Sequence, residues 1–136
     1  MDRHRWSRWL MCSCGAWLLG LGAFFVFLRP PLLPEDLRYI GVTLEALRAA
    51  APALEGWLAK VFVVMGGFMA GAGALTLYVA LSQPQLGRLG SVSVLAFTGL
   101  ITVGLMSAVN FALGSDYRWL LVVPMLAWAF GTWFHV

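Results

Sequence analysis

Little in this sequence can do chemistry, and the sharpest question sits in WLAKVFVVMGGFMAGAG, residues 57 to 73. It places Lys60 at the mouth of a long apolar run rich in glycine. An ammonium beside hydrocarbon needs a carboxylate, a polar cavity or a reach to water. Asp116 is the first candidate partner and Glu55 the second. Paired in that way, Lys60 would form part of a polar pocket for a lipid headgroup, a quinone or a partner's polar tail. The plainer reading is that Lys60 reaches the headgroups and the acids are solvated.

The rest of the catalytic inventory is thin. There is no H-E-x-x-H, no G-x-S-x-G, no Walker loop and no dinucleotide-binding glycine fingerprint. His4 and His135 are near the two ends, and without a neighbouring carboxylate they make a poor metal site. Cys12 and Cys14 stand two residues apart. On a helix they diverge by about 200°, so they are read as small packing residues and not as a redox or metal pair. No cofactor, no metal and no activity as an enzyme is expected.

The elements that must position these residues follow from composition. Hydrophobic residues make up 61% of 136 and charged residues 11%. Soluble domains hold about half apolar and a quarter charged residues. This excess, gathered in long uncharged runs, predicts an all-α integral membrane protein of one domain, 1–136. Four spans are expected, at about 9–28, 57–81, 92–113 and 119–135. Pro124 inside the fourth predicts a kink or a start there. The basic segment before the first span resembles a signal-peptide start. The apolar run behind it is too long, and no A-x-A-like site precedes Arg29, so it is read as a retained span.

Tryptophans frame the spans. Trp6, Trp9 and Trp133 fall at one interface, and Trp57 and Trp119 at the other, as in an aromatic belt. Trp17 and Trp128 fall mid-span and are expected in the packing. The net charge of +3 lies in residues that flank spans, which suits anionic lipids and excludes nucleic acid. The cluster Arg3, Arg5 and Arg8 places both termini in the cytoplasm and the first loop on the opposite side.

That loop, 29–56, is the one sizeable segment between spans. Pro34-Glu35-Asp36 starts a short helix, and Thr43 caps another that Pro52 interrupts. Leu37, Ile40, Leu44 and Leu47 give it an apolar stripe, so it should lie on the membrane or cap one end of a four-helix bundle. Within the second span, Lys60, Gly67, Gly71, Ala74 and Tyr78 share one stripe, while Gly66, Ala70 and Gly73 share a second. Two stripes predict a central helix with two neighbours, the Gly67-x-x-x-Gly71 spacing allowing close approach. In the third span Gly99 lies on a face with Asn110, which is expected to bond across to another helix.

Alternating spans confine the polar set to one end. Asp36, Arg38, Tyr39, Glu55, Lys60, Asn110, Asp116 and Arg118 all belong there, with Glu35 beside them. FLRPPLLPEDLRYIG and VMGGFMAGAGALTLY give a layout that resembles the small bacterial four-span membrane proteins of the DoxX-like kind. The resemblance implies a bacterial cytoplasmic-membrane protein with a proline-bearing first loop, and it carries over no functional residue. The expected partners are membrane lipids and other membrane subunits or further copies. The expected function is a non-enzymatic accessory or scaffold subunit, the alternative a small-molecule binder or transporter-like protein with its site at the first-loop end.

Overall fold

A computed structural model describes residues 3–82 and 88–135. The side chains of His4, Arg88 and His135 lie outside that description. The described chain is helical, with no strand among the described residues. In order it forms α1 (Arg3–Phe27), α2 (Pro34–Ile40), α3 (Leu44–Ala50), α4 (Leu54–Leu81), α5 (Arg88–Gly99), a π-helical turn (Leu100–Gly104), α6 (Leu105–Ala112) and α7 (Arg118–His135). Three stretches are long and apolar enough to cross a membrane: Arg5–Phe27, Leu54–Leu81 and Val92–Ala112. The shorter apolar helix α7 runs through Pro124 without a restart there.

The central helix is α1, not the second span. On one side α1 packs against α4, and on another against α7, which in turn packs against α5, the π turn and α6. Both α4 and α7 run antiparallel to α1. Gly15 of α1 faces Gly73 and Leu77, while Gly22 faces Gly66 and Ala70. Ser7 donates a buried hydrogen bond of 2.8 Å to the Gly131 carbonyl, and the Cys14 thiol donates at 3.8 Å to that of Pro124. The two cysteines therefore stay apart, Cys14 buried and Cys12 half-buried, both as free thiols.

The α1–α4 contact explains one glycine stripe and leaves the other over. A Cβ on Gly22 would stand 2.6 Å from the Gly66 carbonyl oxygen, and one on Gly73 2.7 Å from that of Gly15. Backbone meets backbone there, as small residues allow. Gly67 and Gly71 have nothing within 4 Å of an added Cβ, and Ala74 beside them is exposed. The stripe expected to pack through Gly67, Gly71 and Ala74 is thus open among the described residues. The sequence shows two small-residue stripes, and which one α1 covers is set by the tertiary path alone.

The α5–α7 contact is keyed by Trp128. Its indole N–H donates to the Leu95 carbonyl at 2.8 Å, and its ring lies against Gly99, where any side chain would collide. Trp128 is buried as expected, while Trp17 is exposed and outside the packing. The π turn follows directly, and Thr102 within it donates back to the Thr98 carbonyl at 2.6 Å.

Candidate functional site

The polar end is built by two turns that meet. The first belongs to α2. Pro34 opens it with a fixed φ, and the Asp36 carboxylate accepts from the Leu33 backbone N–H at 2.8 Å. Gly41, at φ 78°, closes it, so the apolar stripe from Leu37 to Leu47 is split over two helices. Thr43 then caps α3 by accepting from the Ala46 N–H at 3.2 Å. Neither short helix has a buried residue.

The second turn joins α6 to α7. Gly114, at φ 64°, ends α6, with the Ser115 N–H bonded back to the Asn110 carbonyl at 3.0 Å. Ser115 is buried, and its hydroxyl accepts from the Tyr117 N–H at 3.2 Å, helping start α7. The same hydroxyl donates to Glu35 at 3.1 and 3.2 Å, and the Asp116 N–H donates to Glu35 at 2.9 Å. Glu35 therefore ties α2 to the α6–α7 turn. Beside it, Arg38 pairs with Asp116 at 2.5 Å, both largely in the open.

These contacts leave neither candidate carboxylate to Lys60. Asp116 is taken by Arg38, and Glu55 by Arg48 at 2.7 Å. The Glu55 hydrogen bond holds the Arg48 guanidinium above its ordinary pKa. Lys60 is exposed and has no ion pair or hydrogen bond among the described residues. The reason is rotational: its stripe is the one that α1 leaves open. Asn110 does not bridge helices either. Its side-chain amide donates to the Met106 carbonyl of its own helix at 2.9 Å. Arg118 opens α7, half-buried and without an ion pair among the described residues.

The cation drawn into this end is Arg29. Its side chain is 11% exposed and lies 3.8 Å from Asp36. The guanidinium sits 3.5 Å from the centre of the Phe62 ring and 5.1 Å from that of Phe25, a cation–π stack on two helices. Burial draws its pKa below the ordinary value, and the charges of Asp36 and Glu35 oppose that shift. In the sequence Arg29 stands directly after the first apolar run, outside the expected polar set. The available signal was a guanidinium next to two prolines, followed by an acidic pair in the same loop.

Under α2 lies a cavity of about 200 Å³. Leu58 and Phe62 of α4 wall one side and Leu113 the other, with Pro31, Leu32 and Ile40 above. Its polar lining is Glu35, Asp36, Tyr39 and Ser115. Of the candidate polar residues, Asp36 and Tyr39 reach it, while Lys60, Asn110, Asp116, Arg118, Glu55 and Arg38 do not line it. A larger groove of about 390 Å³ runs between the π turn and α7, but its lining has no ionisable side chain. No group of three or more metal-ligating side chains forms among the described residues. Comparison with known families, with curated proteins and with solved structures finds no match for this chain.

Proposed function

We propose that this chain is a four-span membrane protein acting as a non-enzymatic accessory or scaffold subunit. Its place is a bacterial cytoplasmic membrane, termini inside and the α2–α3 loop outside, in keeping with the DoxX-like layout. The helix α7 has 18 residues, about 27 Å long at 1.5 Å per residue, close to the ~30 Å of a hydrocarbon core.

The observation that carries the reading is the open stripe of α4. This helix has 28 residues, and α1 is its main neighbour. Among the described residues the Gly67 and Gly71 positions face open space, and Ala74 beside them is exposed. Glycine costs about 1 kcal/mol against alanine in a helix, so two open glycines are an expense with no return inside the monomer. A helix of another subunit, or of a second copy, gives them the close approach that such residues serve in membranes.

The test is a substitution that the fold tolerates. Leucine fits at both positions because the space is open, so Gly67→Leu/Gly71→Leu should leave the monomer folded. Extraction from the native membrane in mild detergent, followed by native gels and identification of copurifying chains, should show the wild type in a complex and the variant released from it. A wild-type protein that emerges as a lone monomer would sink the proposal. So would a complex indifferent to both leucines.

A further inference from the structure

We infer that the cavity under α2 receives a primary ammonium group carried by an amphiphile, with Glu35 as its counter-ion. The membrane lipid with that chemistry is phosphatidylethanolamine, and a free amine shares it. The lipid form rests on the membrane-spanning reading above; the ammonium site itself does not.

Among the charged groups that line the cavity or are tied to its lining by contacts, charge is short by one cation, and Arg118 and Lys60 at the same end line no part of it. Glu35, Asp36 and Asp116 contribute three carboxylates, and Arg29 and Arg38 two guanidinium groups, which leaves a sum of −1. Each guanidinium lies within ion-pair distance of one carboxylate: Arg29 of Asp36, Arg38 of Asp116. Glu35 is the carboxylate left over. Its hydrogen bonds come from the neutral Ser115 hydroxyl and the Asp116 N–H, and Arg29 acts on it only as a charge beyond ion-pair distance, although it is half-buried and lines the cavity. A carboxylate withdrawn from water gains most from a cation that brings its own donors.

The unused hydrogen-bonding capacity has the same sign. A carboxylate accepts about four hydrogen bonds over its two oxygens. Asp36 accepts the Leu33 N–H on Oδ2, with the Arg29 guanidinium 3.8 Å from the same oxygen as an ion pair, and no hydrogen bond reaches Oδ1 among the described residues. A primary ammonium supplies three N–H donors. A quaternary ammonium supplies none, and a headgroup with a phosphate but no amine would only add negative charge; the phosphate of phosphatidylethanolamine stays outside the cavity.

Size and surroundings make the ligand an amphiphile. A volume of about 200 Å³ is below the ~300 Å³ at which pockets begin to enclose drug-sized ligands. It suits a headgroup amine and its first carbons against Leu58, Phe62 and Leu113. The apolar remainder must then lie outside, along the gap between α4 and α6, which do not pack closely on one another.

The full chain in mild detergent, incubated with vesicles of equimolar phosphatidylethanolamine, phosphatidylglycerol and phosphatidylcholine and re-extracted, tests this by native mass spectrometry. Phosphatidylethanolamine should be retained over the other two by about ten- to hundredfold, the worth of one charge-assisted hydrogen-bonded pair. Glu35→Gln should abolish that preference. Leu58→Trp, which fills the cavity and keeps the carboxylate, should do the same, so the test survives if one variant folds poorly. Ethanolamine alone, at millimolar concentration and without lipid, separates the sources: binding that Glu35→Gln removes marks a soluble amine as a ligand of the same site. Equal retention of the three lipids with no ethanolamine binding overturns the inference, as does an undiminished preference in folded Glu35→Gln.

Discussion

Replacing Gly22 by alanine tests the central packing with a single methyl group. The new Cβ would lie 2.5 Å from the Ala70 nitrogen and 2.6 Å from the Gly66 carbonyl oxygen. Comfortable carbon contacts lie at about 3.5–4.0 Å, so α1 and α4 must part by roughly 1 Å. Both opposing atoms are backbone and cannot rotate away. A gap of that size forfeits about a quarter to a half of each dispersion contact along the interface. Overpacking of this kind costs about 1–3 kcal/mol, while alanine gains at most about 1 kcal/mol over glycine in helix propensity. Gly67→Ala on the open face is the matched control, since it gains the same propensity and meets nothing within 4 Å. The two variants should therefore differ by the overpacking term, about 1–3 kcal/mol, with Gly22→Ala the less stable. The assay is SDS-driven unfolding in mixed micelles, followed by far-UV circular dichroism on dilute protein. If Gly22→Ala is as stable as Gly67→Ala, the helices are not in backbone contact and the argument for an α1-centred fold fails.

Two further outcomes follow from the same geometry. Trp128→Phe removes the indole N–H that satisfies the Leu95 carbonyl and should cost about 1–3 kcal/mol in the same assay, whereas Trp17→Phe, on an exposed face, should cost less than about 0.5 kcal/mol. Lys60→Met should leave monomer stability within about 0.5 kcal/mol, because Lys60 has no partner among the described residues; a loss beyond about 2 kcal/mol would show a buried ion pair there after all.

The polar end shows how far residue types alone lead. Alternation of apolar runs brings the first loop and the GSDYRW turn to one end, and the structure joins them there through Glu35, Ser115, Arg38 and Asp116. The pairing within that end was not legible. The sequence leaves Lys60, at the mouth of an apolar run, either paired with an acid or reaching the headgroups, and the structure leaves it exposed. Arg29 is the cation drawn in, because it leaves α1 beside Phe25 and lies over Phe62 of the neighbouring helix. Ser115 carried a readable signal, a serine directly after a helix-ending glycine, since such serines cap the next helix. Its bond to Glu35 spans 80 positions and has no local trace.

By itself the sequence determined the helical class, the long apolar helices, the helix start at Pro34, the cap at Thr43 and the gathering of charge at one end. Those features depend on hydropathy, backbone dihedrals and capping, which act over a few residues. The tertiary structure alone decided which helix is central, which glycine stripe is covered and which of the two carboxylates lining the cavity lies beyond ion-pair distance of a cation. Stripes 100° apart on one helix are locally equivalent. Only the arrival of α1, with Gly15 and Gly22 at matching heights, distinguishes Gly66 and Gly73 from Gly67 and Gly71.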